Sequence, residues 1–145
     1  MIDPETLKQI ERLLALPREI ARVGRRLTAL RDEKRKLEED LKKRAVVIRV
    51  RARNTAAYEQ LKGADAREDW LQLQVLEDTD YEEDSKRLKQ LAVAIDKAQV
   101  EKDELQDEHQ SLRAALEGRY AELLERALTE AKMAQHISTG RVNLA

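Results

Sequence analysis

The 145-residue chain has no cysteine and no phenylalanine, and it carries only one tryptophan, three tyrosines and two prolines. Without cysteine, disulfides and thiolate-bound metals are excluded. Aromatics at 3% and charged residues at 39% leave too little bulk for the thick core of a compact globule, and instead fit long helices with a thin aliphatic seam. No apolar run approaches the roughly 18 residues of a membrane span. The start, Met1-Ile2-Asp3-Pro4-Glu5, lacks the basic-then-apolar order of a secretory signal. A soluble, cytoplasmic protein is the expectation.

Catalytic signals are equally scarce. There is no glycine-rich phosphate loop, no G-x-S-x-G turn and no Glu-x-x-His spacing. His109 and His136 are far apart, and the cluster Glu104, Asp107, Glu108, His109 is what an acidic helix produces from composition alone. The expectation is a protein that is not an enzyme, with no catalytic residue, cofactor or metal site.

What the sequence does have is a heptad seam, twice. Leu16, Ile20, Val23, Leu27, Leu30, Lys34, Leu37 and Leu41 recur at alternating spacings of four and three, and so do Leu88, Leu91, Ile95, Ala98, Lys102, Leu105, His109, Leu112 and Leu116. Folding the chain at Gly63-Ala64-Asp65 brings the two into register. Leu41 then meets Leu88, Leu37 meets Leu91, Leu30 meets Ala98, Val23 meets Leu105 and Leu16 meets Leu112. The fold class that follows is all-α: a long antiparallel helical hairpin, a coiled coil with arms of about 45 residues and hence roughly 70 Å. Lys34, Lys102 and His109, polar residues in the seam, read as register-setting or snorkelling groups.

Local signals divide residues 1–145, read as a single helical domain, into segments. Asp3 caps a short N-terminal helix over 4–16 with Pro4 at its first position, and Pro17 predicts a kink or break near Leu16. The first arm covers 18–62. Within residues 45–53, Ile48, Val50 and Ala52 alternate with Arg49, Arg51 and Arg53 as in a strand, yet the flanking pattern favours helix. Gly63 caps that arm, the turn is 63–65, and Asp65 is the N-cap of a second arm over 66–134. A further start signal at Asp78-Thr79-Asp80 predicts a break near 78–80. Residues 135–145 form a tail, frayed from Ser138. The same register puts Tyr58 near Trp70.

Charge divides with the arms. Residues 1–62 carry 17 Lys or Arg against 10 Asp or Glu, and the remainder 11 against 19. The tightest basic run is Lys42, Lys43, Arg44, Arg49, Arg51 and Arg53, a candidate nucleic-acid contact. The fold-back register instead sets this run opposite Glu77, Asp78, Asp80, Glu82, Glu83 and Asp84, inside the molecule. Val46, Val47 and Val50, with Leu71, Val75 and Leu76, exceed what a two-helix seam can bury. They are the predicted interface of a homodimer in which two hairpins pack as a four-helix bundle. The alternative is that 66–77 folds back locally and covers them.

The stretch from Leu61 to Glu83, with Gly63-Ala64-Asp65-Ala66-Arg67-Glu68 and Asp78-Thr79-Asp80-Tyr81, resembles small helical proteins encoded in bacteriophage and prophage genomes. Those have a long helix, a short Gly-Asn/Asp-Ala turn, an apolar helix ending in Asp-x-x-Tyr and a final charged helix. The resemblance implies a phage accessory protein near replication or recombination genes, and no active site. In length and charge the chain is also similar to the two-helix stalk and chaperone proteins of flagellar and type III export. The leading functional expectation is a non-enzymatic scaffold or adaptor with an unidentified protein partner. The alternatives are a nucleic-acid-binding accessory factor using residues 42–53 and a stalk or chaperone-like coiled coil.

Overall fold

A computed structural model describes the backbone of residues 2–144 and the side chains of residues 2–137. The protein is all-α, with no strand among the described residues. Its helices are α1 (Pro4–Arg53), α2 (Ala56–Glu59), α3 (Ala64–Glu77) and α4 (Thr79–Leu144). Residues 45–53 are helical despite their strand-like alternation. The separate tail expected over 135–145, frayed from Ser138, is not found, because α4 runs on to Leu144.

α1 opens as its first residues dictate. The Thr6 amide donates to Asp3 Oδ1 at 2.7 Å, satisfying one of the donors that a helix N-terminus leaves free. That bond, with the Thr6 hydroxyl and then Arg119, holds the Asp3 carboxyl below its ordinary range. The break expected near Leu16 is absent, because α1 continues through Pro17. A proline removes one backbone hydrogen bond and strains one turn. Leu16, immediately before it, is completely buried.

The first arm ends at Arg53, nine residues earlier than 62. Thr55 is the reason. Its hydroxyl donates to the Ala52 carbonyl at 2.6 Å and accepts from the Tyr58 amide at 3.4 Å, so it competes with the helix for backbone groups and caps α2. Gly63 adopts φ 92°, a conformation that side chains with a Cβ rarely take, and stands at the N-cap of α3. Asp65 accordingly lies within the first turn of α3 and is not its cap. The break near 78–80 is present. Asp78 ends α3, and its Oδ1 accepts from the Tyr81 amide at 2.8 Å, so the same residue caps α4.

Contacts divide the chain into two compact units. The first comprises residues 1–21 and 103–145. In it, Arg12 grips Glu108 with two parallel bonds, Nε to Oε1 at 2.7 Å and Nη2 to Oε2 at 2.9 Å, while its Nη1 reaches Glu19 at 2.7 Å. This fork holds the Glu108 carboxyl below its ordinary range and raises the Arg12 guanidinium. Arg119 pairs with Asp3 at 3.5 Å and bonds the Thr6 hydroxyl. Every described side chain from Tyr120 to Ile137 is exposed.

The second unit comprises residues 22–102. Its buried residues are Val23, Leu27 and Leu41 of the first seam, Leu91 and Ala98 of the second, and Ala52, Leu71 and Val75. The inter-helix pairs Arg26–Glu101, Glu33–Arg87 and Arg44–Asp80 descend along α4 as they ascend along α1. Lys34 keeps its ammonium partly in water beside Glu38, as the snorkelling reading expects.

Candidate interaction surface

The surface is built in the second unit by the last turns of α1 and by α3. α3 docks because Leu71 and Val75, four residues apart, form one stripe, and each is 2% exposed. This corrects the expected interface. Leu71 and Val75 are core residues of their own chain, covered by local fold-back of α3, and offer nothing to a partner. The other four members behave differently. Val46 is 60% exposed, Leu76 55%, Val50 48% and Val47 46%. Leu73, which sequence reasoning passed over, joins them at 48%. Its signal was available in the spacing, since Leu73 and Leu76 fall on the side of α3 opposite Leu71 and Val75.

The basic run separates in the same way. Arg44 pairs with Asp80 at 3.1 Å and Asp84 at 4.0 Å, the acidic segment that the fold-back register sets opposite it. Arg49 turns instead to α3, with Nη1 on Glu68 at 2.6 Å and Nη2 on Gln72 at 2.7 Å. Neither Glu68 nor Gln72 was among the partners read from sequence, because a register drawn for one continuous second arm does not anticipate a separate α3. Lys42, Lys43, Arg51 and Arg53 are exposed and make no ion pair among the described residues.

Two open clefts flank the α3–α4 junction. One of about 470 Å³ is lined by Ile48, Arg51, Ala52, Gln74, Glu77 and Asp78. The other, of about 490 Å³, includes Lys43, Arg44, Val47, Asp80 and Asp84. Both are grooves with charged walls of mixed sign. Beyond them, the Tyr58 and Trp70 rings lie 6.1 Å apart at 40°, and the Arg67 guanidinium sits 5.2 Å from the Tyr58 ring centre. Arg67 Nε also donates to the Leu61 carbonyl at 3.0 Å, tying α3 to the loop before Gly63. Glu108, from the acidic cluster around His109, is engaged by Arg12, and no group of metal-ligating side chains occurs among the described residues.

No protein-family model, curated protein or solved structure matches the chain. No helix among the described residues is long and apolar enough to cross a membrane.

Proposed function

We propose that the protein is a non-enzymatic helical scaffold or adaptor that works in the cytoplasm through helix-to-helix contacts. Its paired α1 and α4 segments form antiparallel coiled-coil hairpin structure, and it self-associates as a homodimer through the α1–α3 surface. The observation that carries this reading is the apolar group left in water on two adjacent helices, namely Val46, Val47, Val50, Leu73 and Leu76. Burying such surface gains roughly 25 cal/mol per Å², so a partner helix is the energetically natural cover. The resemblance to phage-encoded helical proteins belongs to the same reading, and the genes flanking the coding sequence test it.

Light scattering at micromolar concentration measures mass independently of shape. A dimer mass is expected, and a monomer mass overturns the homodimer. The cations Lys42, Lys43, Arg51 and Arg53, exposed and without ion pairs among the described residues, favour one rival, a nucleic-acid contact. Duplex or single-stranded DNA binding that weakens steeply with salt and vanishes on Lys42→Glu, Arg51→Glu and Arg53→Glu would replace the scaffold reading.

A further inference from the structure

The pairing of α4 with the start of α1 ends at Arg119, whose guanidinium reaches Asp3 and the Thr6 hydroxyl. α4 runs on to Leu144, and every described side chain from Tyr120 to Ile137 is exposed. A helix draws most of its stability in water from the packing of an amphipathic face. This stretch has such a face. Tyr120, Leu124, Ala127, Ala131 and Ala134 follow one another at spacings of four, three, four and three, with Leu123 on one edge and Leu128 on the other. At about 100° per residue they occupy an arc of about 140°, shared only with Gln135. Glu122, Glu125, Arg126, Glu130 and Lys132, the charged residues of 120–137, all fall outside it. The arc is centred about 100° round the helix from Arg119, so it looks past the first turn of α1 and not at it. Its large members, Tyr120, Leu123, Leu124 and Leu128, are between 50% and 69% exposed.

The stripe is graded in size. Tyr120, Leu123 and Leu124 come first, Ala127 and Leu128 lie in the middle, and Ala131 and Ala134 come last. The separation of two packed helices is set by the side chains at their contact, so a close-fitting cover must be graded the opposite way. The same segment turned end for end is such a cover. With a two-fold axis at the level of Ala127, Tyr120 of each copy stands at the height of Ala134 of the other, and Leu124 within one residue of Ala131. Large side chains then meet small ones at both ends, and the two Leu128 side chains lie on one edge beside the axis. Parallel pairing in register sets Tyr120 on Tyr120 and Ala134 on Ala134. That wedges one end apart and leaves the alanines without contact.

We propose that a second copy of this chain docks antiparallel on the α4 stripe between Tyr120 and Ala134, each copy's Tyr120 and Leu124 packing on the other's alanines. The contact is isologous and closes on itself. It goes beyond the homodimer proposed above, because it uses the first unit of the chain, whereas the α1–α3 surface belongs to the second. Seven side chains from each copy are far fewer than the roughly 20–30 residues a side of a standard interface, so the contact is weak and forms above micromolar concentration. A chain that makes both contacts has two partners, and dimers then link into longer assemblies.

The chain has no cysteine, which makes directed cross-linking clean. Full-length Y120C and A134C variants, mixed at high micromolar concentration and mildly oxidised, are expected to give a covalent dimer containing one chain of each, while neither alone cross-links. Self-cross-linking of Y120C as fast as the mixture, or a mixture without covalent product, overturns the contact. Light scattering supplies a readout that does not depend on oxidation. The mass of the unmutated chain is expected to rise as concentration goes from low to high micromolar. Leu124→Glu is expected to abolish that rise, since it sets a charge in the contact, and to leave Trp70 fluorescence unchanged. A constant mass over that range, or a rise that survives Leu124→Glu, refutes the contact. A monomer mass at low micromolar concentration together with the mixed cross-link overturns the α1–α3 homodimer and leaves the α4 contact standing. A constant dimer mass without the cross-link does the reverse.

Discussion

Leu71 and Leu73 lie two residues apart on α3, yet one is 2% exposed and the other 48%. Truncating each to alanine measures how much of the attachment of α3 comes from its buried stripe. Leu71→Ala deletes buried carbons between α3 and its neighbours. For buried leucines the loss is about 2–5 kcal/mol, depending on how far the surroundings collapse into the space. α3 is short and its far side is open to water, so relaxation is easy and the low end applies, roughly 2–3 kcal/mol. Leu73→Ala removes a side chain already half in water and should cost below about 0.5 kcal/mol in the dilute chain. Trp70, the only tryptophan, sits on α3 against Tyr58, so its fluorescence follows this helix alone while far-UV dichroism follows all four. In urea titrations at submicromolar protein, the fluorescence transition of Leu71→Ala should move to lower denaturant and separate from the dichroism transition. Leu73→Ala should leave the two coincident with the unmutated chain. Equal shifts for both variants would show that α3 is not held by the Leu71–Val75 stripe.

Other substitutions examine separate links. Gly63→Ala meets no atom within 4 Å but must adopt φ 92°, so a loss of about 1 kcal/mol in urea unfolding is expected from backbone strain alone. Unchanged stability would mean the turn re-forms without a left-handed residue. Arg49→Glu sets a carboxylate against Glu68, and Trp70 fluorescence should report loosening of α3 that Arg49→Gln produces only in part. The Asp3 and Glu108 carboxyls titrate below their ordinary values of 3.8 and 4.5. Their contribution is therefore fully present above those values and is lost as pH falls through the lower folded ones. Glu108→Gln should flatten the fall of the thermal midpoint below about pH 4.5, and an unchanged acid limb would show that the Arg12 fork contributes nothing measurable.

Much of this protein was set by the chain before any tertiary contact. Heptad spacing and the scarcity of aromatics demand long helices with a narrow seam, and Val23, Leu27, Leu41, Leu91 and Ala98 are buried as that seam requires. Asp3 and Asp78 act where they stand, and Gly63 turns the chain at φ 92° but as the N-cap of α3, not as the cap of the first arm, because capping and left-handed turns depend on one residue and its nearest neighbours. What reaches further along the chain took the folded structure to decide. Pro17 stays inside a helix, beside the fully buried Leu16, despite its local penalty, and α1 stops at Arg53 because Thr55 wins a competition among backbone acceptors. Six apolar residues looked alike near the turn. Burial divides them, since only the docking of α3 determines that Leu71 and Val75 face inward while Val46, Val47, Val50 and Leu76 remain in water. Helical period assigns a residue to a face, but which face meets a neighbour is fixed by the energy of packing whole helices against each other.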